Sequence, residues 1–150
     1  MKKRKFLGKN SSIPESPVDF NFDLIKNINK ASLYSIRFSV PEFTSICPVT
    51  TQPDFGVLVI DYIPKNLLVE SKSLKTYIQS YRNYGIFHEE AVMKVGNDLF
   101  KSMKPFWFRI AGYFAPRGGI PIDVFWQSGK MPSNVYIPEL SHLERRLFNR

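Results

Sequence analysis

Sulfur and imidazole are scarce in this chain: one cysteine, Cys47, and two histidines, His88 and His142, stand among 150 residues. A lone cysteine excludes an intrachain disulfide and a Cys-rich zinc site, and it suits a reducing compartment. Long apolar runs are missing too. No stretch approaches the roughly 20 apolar residues of a membrane span. Met1 to Lys5 read MKKRK, like the start of a secretory leader, but Phe6 and Leu7 run straight into Gly8, Lys9 and Asn10. The apolar core of such a leader is therefore absent, and a soluble, cytoplasmic protein is expected. No GxGxxG follows a strand pattern, which excludes a Rossmann dinucleotide site. The chain has no internal repeat and no low-complexity block.

Acidic residues are few: 13 Asp and Glu face 21 Lys and Arg, a net charge of +8. Lys2, Lys3, Arg4 and Lys5 supply four of the eight net charges. A basic arm can hold nucleic acid or an anionic membrane, or can simply be solvated. The remaining surplus lies in the body, where it fits an anionic small-molecule partner. Hydrophobic residues make up 43% of the chain and aromatic ones 15%, a globular composition. The length allows one domain with short tails. Residues 1 to about 30 read as a basic N-terminal arm, and 31–150 as the domain with a C-terminal tail.

From Leu33 onward, Tyr34, Ile36, Phe38 and Val40 alternate with Ser35, Arg37 and Ser39, a strand that ends near Pro41. Cys47 to Asp54 reads as a loop. Val57 to Ile63 is a second, nearly continuous apolar strand closed by Pro64. The period then changes. Leu74, Tyr77, Ile78 and Tyr81 form one helical stripe, with Ser71 as its N-cap. Val92, Val95, Leu99 and Met103 form another on a helix from about His88 to Met103, with Glu89 and Glu90 in its first turn and Pro105 as its stop. Phe106 to Phe114 and Ile120 to Gln127 alternate again. The turn Pro116-Arg117-Gly118-Gly119 joins them as an antiparallel hairpin. A short helix is predicted around Glu139 to Phe148. The order is β-β-α-α-β-β, an α+β arrangement with two helices on one face of an antiparallel sheet. Its other face, left bare and apolar, implies an oligomer interface.

Several residues can carry chemistry, each with a plainer alternative. Cys47 precedes Pro48 in a loop with two hydroxyl residues, Thr50 and Thr51, ending at Asp54; it is either a small buried hydrophobe or a nucleophile beside an acid. Asp54 is a turn residue or that acid. The triplet Asp54-Phe55-Gly56 matches a kinase motif, but the chain lacks the HRD and phosphate-covering loops. His88-Glu89-Glu90 lacks the second histidine of a zinc-protease helix, since Val92 stands there, so no metal is expected. Glu89 is a helix-start acid, or a carboxylate gripping an N–H/NH₂ edge. Ser71, Lys72 and Lys75 form a solvated helix start or an anion site. Arg117 decorates a hairpin or reaches a phosphate.

Four segments together change this balance: CPVTTQPDFG at Cys47 to Gly56, VESKSLKTY at Val69 to Tyr77, FHEE at Phe87 to Glu90, and PRGG at Pro116 to Gly119. In that order and spacing the chain closely resembles the QueF family of nitrile reductases, over roughly residues 30 to 130, in its short single-module form. Thr76 departs from the family motif, which has a larger apolar or aromatic residue there. The resemblance implies a tunnelling fold whose subunits close their sheets into a barrel, with active sites between neighbours and paired pentameric rings forming a decamer. It implies NADPH-dependent reduction of 7-cyano-7-deazaguanine to 7-aminomethyl-7-deazaguanine, a precursor of queuosine in transfer RNA. In that scheme Cys47 forms a covalent thioimide and Asp54 protonates the nitrogen. Val69, Glu70, Ser71, Phe87, His88 and Glu89 would bind substrate. Lys72, Lys75 and Arg117 would hold NADPH phosphates. No direct nucleic-acid or membrane partner is implied. A pterin or GTP-hydrolysing enzyme of the same fold would need a zinc set that two distant histidines supply poorly. A non-catalytic purine-nucleotide or nucleic-acid binder would show steep salt dependence and indifference to Cys47→Ala.

Overall fold

The computed structural model describes residues 12–140. The elements in chain order are β1 (Leu24–Lys26), β2 (Ile36–Ile46), β3 (Pro53–Ile63), β4 (Leu67–Val69), α1 (Ser71–Gln79), α2 (His88–Met103), β5 (Trp107–Phe114) and β6 (Asp123–Gln127). Strands β2, β3, β5 and β6 form one antiparallel sheet in that order, while β1 and β4 pair separately. The α+β order read from the sequence therefore holds, with two short strands added.

Alternation along the sheet divides the side chains between two faces. Leu58, Ile60, Tyr62, Phe108, Ile110 and Phe114 face the helices, where they meet Val92, Val95, Leu99 and Met103 of α2 and Leu74, Tyr77 and Ile78 of α1. The predicted stripes thus form the core. Hydrogen bonds tie the helices together: Tyr77 donates to Asp98 Oδ2 at 2.7 Å and shares a 2.8 Å bond with Tyr81. Lys94, one turn earlier on α2, pairs with the same carboxylate at 2.8 Å. Burial drives the hydroxyl pKa values of Tyr77 and Tyr81 upward, so both stay neutral donors.

Four expectations are corrected. The first long strand does not end at Pro41. It continues to Ile46, and Pro41 sits in a register shift between Val40 and Phe43 on an edge strand, where a missing N–H is tolerated. The arm contributes structure: Phe20, Phe22 and Leu24 pack on the core, and Leu24 pairs with Val69. Ile120 to Ile122 precede β6, because Pro121 has no N–H for the ladder; among the described residues the Arg117–Ile120 bridge and a bond from Phe114 N to Ile122 O hold this backbone.

The second sheet face is not bare. Leu140 packs on Val57, Val59, Ala111 and Tyr113, while Ile137 and Val135 pack near Ile63 and Trp107. Asp61, fully buried on this face, holds Arg37 at 2.6 Å and Arg109 at 2.6 Å. Both guanidinium groups also donate to Pro138 O, at 2.6 and 2.8 Å, lashing the segment onto the sheet. The helix predicted around Glu139 to Phe148 falls almost wholly outside the described residues.

Candidate active site

The β2–β3 hairpin builds the first half of the site. Phe43, Ser45 and Cys47 are two residues apart and share a face. Ser45 pairs with Asp54 across the ladder, and Ile46 with Pro53, so Asp54 lies on that face beside Cys47. The loop between them closes through Cys47 N to Gln52 O at 2.9 Å and Thr51 N to Cys47 O at 3.0 Å. Thr51 adopts a left-handed φ of 58°, unusual for a β-branched residue. That tight conformation turns the loop back toward β3.

Two other segments are fastened to this hairpin. Ile46 N donates to Tyr84 O and Ile86 N to Ile46 O, both at 3.0 Å, so the start of α2 is set beside Cys47. Ala115 N donates to Phe55 O at 2.9 Å, which brings the turn after β5 to Asp54. His88 opens α2 with its ring stacked on Phe114, centroids 4.0 Å apart and planes inclined by 14°. Gly56 makes room for that ring: a Cβ there would lie 2.9 Å from Phe114 Cδ1 and 3.0 Å from Tyr113 O.

Asp54 is 4% exposed and receives two nitrogens. His88 Nε2 stands 2.9 Å from Oδ1, and Arg117 Nη2 contacts the same oxygen. Neither nitrogen is aligned for a hydrogen bond, and the buried Ser45 hydroxyl has no partner either. Buried polar atoms of this kind around one carboxylate fit a polar ligand. The Cys47 thiol is pulled from the usual 9.0 down to about 6. Bonding from the Thr50 hydroxyl contributes most, then the Arg117 guanidinium, then backbone groups of Thr50 and Val49. Cys47 is 5% exposed, and desolvation, the weakest influence on the thiol, opposes this lowering. A thiol at that value is mostly thiolate at neutral pH, the form that attacks electrophiles.

The remaining sequence-predicted residues are placed as follows. Glu70, not Ser71, caps α1: its backbone is extended, and its carboxylate accepts from Lys72 N at 3.0 Å and Ser73 N at 2.8 Å. A carboxylate reaches two free N–H groups and also answers the helix dipole, which a serine hydroxyl does not. Ser71 is exposed in the first turn, and Val69 is buried in the core. Phe87 is 48% exposed at the N-cap of α2, with Glu89 exposed one turn-step beyond His88. Lys75 lines a groove of about 280 Å³ between β2 and α1, with Ser71, Arg82, Phe38 and Val40. The structure therefore brings Cys47, Asp54, His88 and Arg117 together, whereas Lys75 faces a different recess. Ser45, Thr50, Gly56 and Phe114 were not singled out from sequence; the Phe-Thr-Ser stretch before Cys47 carried no signal without the register.

Residues 53–133 match the family model described as QueF-like protein. A protein of Zymomonas mobilis named NADPH-dependent 7-cyano-7-deazaguanine reductase is 57% identical over 133 residues, covering 89% of this chain and 90% of its own length. A protein of the same name from Parvibaculum lavamentivorans is 52% identical over 139 residues, covering 93% and 90%.

The chain belongs to the QueF family.

The fold agrees. The crystal structure of the archaeosine synthase QueF-Like in the apo form superposes with a TM-score of 0.60 at 22% identity, covering 65% of this chain and 96% of that one. Three of the four QueF segments quoted above surround the site: Cys47–Gly56 forms its hairpin, Phe87–Glu90 its helix start and Pro116–Gly119 its turn.

Proposed function

We propose that this chain reduces the nitrile of 7-cyano-7-deazaguanine to 7-aminomethyl-7-deazaguanine, in queuosine biosynthesis, with NADPH as reductant. The observation that carries this reading is a single cysteine, its thiol lowered to about 6, fixed beside a buried aspartate. Cys47 adds to the nitrile carbon and forms a thioimide, and Asp54 gives the nitrogen a proton. His88, 2.9 Å from Asp54 and held in place by Phe114, restocks that proton. Once the carbon is reduced, Cys47 leaves as thiolate, a departure its low pKa favours. Glu89 accepts the N–H/NH₂ edge of the base, beside Phe87 and His88, and the Val69–Ser71 segment forms a wall.

NADPH, when bound, supplies the two hydrides that a four-electron reduction requires. The chain fits its charge. Lys72 and Lys75 on α1 would hold its phosphates, a reading supported by the groove at Lys75, which has a cationic and an apolar wall. At about 280 Å³ that groove takes part of a dinucleotide, so the rest must lie elsewhere. Arg117, which the resemblance adds to these lysines, turns inward to Asp54. The assembly we infer is a decamer of two pentameric rings, in the cytoplasm, with no direct nucleic-acid or membrane partner. Among the described residues no helix is long and apolar enough to cross a membrane.

The deciding experiment follows NADPH absorbance on adding the nitrile, with product mass read in parallel. About two NADPH consumed per nitrile, with the amine as product, is the expected result. No oxidation by reduced, assembled protein would reduce the reading to a purine binder.

Gly56→Ala probes the support under His88. The added methyl would push Phe114 aside, costing about 1–3 kcal/mol of stability. Turnover is expected to fall about tenfold or more through the displaced imidazole. Melting curves and kcat on the same preparation check both; unchanged turnover would remove Phe114 from the account.

A further inference from the structure

We propose that Ser73 is a positioning residue for substrate binding: it clasps the backbone of Asp23, and through that clasp the N-terminal segment 20–27 holds the Val69–Ser71 wall in its binding place. This rests on the reading of Val69–Ser71 as a substrate wall, and it gives a role in turnover to a stretch that the sequence sets outside the reductase domain.

The wall hangs from a ribbon rather than from the main sheet. Val69 ends β4, which lies outside the four-stranded sheet and, among the described residues, pairs with β1 alone. Leu24, Ile25 and Lys26 stand opposite Val69, Leu68 and Leu67. A two-stranded ribbon this short is not stable by itself, so its position depends on what fastens its ends. The same arm fastens both. At one end Asn27, 1% exposed, donates from N to Asn66 O at 2.9 Å and from Nδ2 to Lys65 O at 3.2 Å. Tyr34 Oη donates in turn to Asn27 Oδ1 at 2.7 Å.

The other end is the start of α1. Glu70 N donates to Asp23 O at 2.9 Å, and Asp23 N donates to the Ser73 hydroxyl, also at 2.9 Å. One arm residue thus spends both backbone groups on the two ends of the turn that contains Ser71 and Lys72. From inside, the Glu70 carboxylate closes that turn through Lys72 N and Ser73 N. Ser73 is fully buried, so solvent does not compete for its bond to the arm. Phe20 and Phe22 then lay their rings against Tyr77, with centroids 5.1 and 4.7 Å away. Ser73 and Tyr77 are four residues apart, so the arm grips one face of α1 at two successive turns.

Serine is a modest helix former, and propensity alone does not favour it inside α1. Here its hydroxyl accepts a strand N–H that would otherwise be buried and unpaired. Removing the hydroxyl frees Asp23 N and loosens the Glu70–Lys72 turn. The Cys47–Asp54 hairpin is fastened separately, through Ile46 to the stretch before α2 and through Phe55 to Ala115. Wall and nucleophile are therefore positioned by different bonds. Opening the clasp should weaken the hold on the base and leave the chemistry at Cys47 alone.

The test uses the full-length, assembled protein with 7-cyano-7-deazaguanine and NADPH. In Ser73→Ala, KM for the nitrile and its Kd by calorimetry should both rise about tenfold, the scale of one buried hydrogen bond, while kcat stays within about twofold. Ser73→Thr keeps the hydroxyl and should restore most of the affinity. A lower melting temperature with KM and Kd unmoved would make the clasp merely structural and overturn the proposal, and so would a loss confined to kcat. Where Ser73→Ala does not fold, hydrogen exchange on the unaltered protein decides. Purine binding should slow exchange of the amides in 20–27, although none of them belongs to the wall; unchanged exchange there with purine bound would overturn the proposal. An unaltered protein that binds no purine at all would mean that the wall itself is misread, which overturns both. A bound purine indifferent to Ser73→Ala refutes the clasp alone.

Discussion

Cys47→Ala is expected to abolish nitrile reduction while purine binding survives. The loss should be on the order of 10⁴-fold or more, the scale seen when a covalent nucleophile is removed. The reasoning is specific to the site. The groups proposed to hold the base sit on the start of α2, which is fastened to β2 through the backbone of Ile46, not through the sulfur. Removing Sγ leaves those bonds untouched. Binding of the purine, read by calorimetry, should therefore stay within roughly tenfold of the unaltered protein, about 1.4 kcal/mol. Cys47→Ser is the sharper variant. It keeps the size and the hydrogen bonds, but a hydroxyl does not ionise near neutral pH, so it should be as inactive as alanine. Retained turnover in either variant would refute covalent capture. With the thiol at about 6, thioimide formation in the unaltered protein should weaken as pH falls below that value, where the sulfur regains its proton. Mass spectrometry of the trapped adduct across pH 5 to 8 checks that direction.

The second large effect lies on the opposite sheet face. Asp61→Ala is expected to cost about 3–5 kcal/mol, because it leaves two partly buried guanidinium groups facing each other without their carboxylate. Asp61 accepts four bonds from them: from Arg37 Nε at 2.6 Å and Nη2 at 3.0 Å, and from Arg109 Nε at 3.0 Å and Nη2 at 2.6 Å. With about 2–4 °C per kcal/mol for a domain of this size, the melting temperature should drop by roughly 10 °C. Replacing all three with apolar residues of similar volume (Arg37→Met, Asp61→Leu, Arg109→Met) should recover much of the loss, since no buried charge is then left unpaired. The side chain points away from Cys47 and Asp54, so catalysis below the melting transition should be little changed. A triple variant no more stable than Asp61→Ala would mean that the lashing of Pro138, rather than charge pairing, carries the energy.

These two sites differ in how far the sequence announced them. The stripe Val92, Val95, Leu99, Met103 has an unbroken helical period, and α2 ends where that period ends. Trp107 to Phe114 alternates cleanly and is β5. Cys47 stood out as the chain's one cysteine, in a loop ending at Asp54, and the order of the four motifs then tied both to His88. By contrast, β1 is three residues long, too short to show a period. The extension of β2 past Pro41 depends on a register shift that only its partner strand defines. Asp61 reads as one more strand position until Arg37 and Arg109 are paired across the ladder. Arg117 meets Asp54 only because β5 lies against β3, a long-range pairing no local pattern encodes. Segment 135–140 makes no ladder, so its contacts with the sheet left no alternation to read.

His88 lying flat on Phe114 has a spectroscopic consequence. At 4.0 Å and 14° the imidazole sits within the shielding region of the benzene ring, so its carbon-bound protons should resonate well upfield of an ordinary histidine. The chain contains one other histidine, His142. A simple proton–carbon spectrum should thus give two pairs of histidine ring signals, one pair displaced, and assign them without mutagenesis. The displaced signal lies one contact from Asp54, so it would register base binding, loss of the Phe114 support, or adduct formation at Cys47 without waiting for turnover.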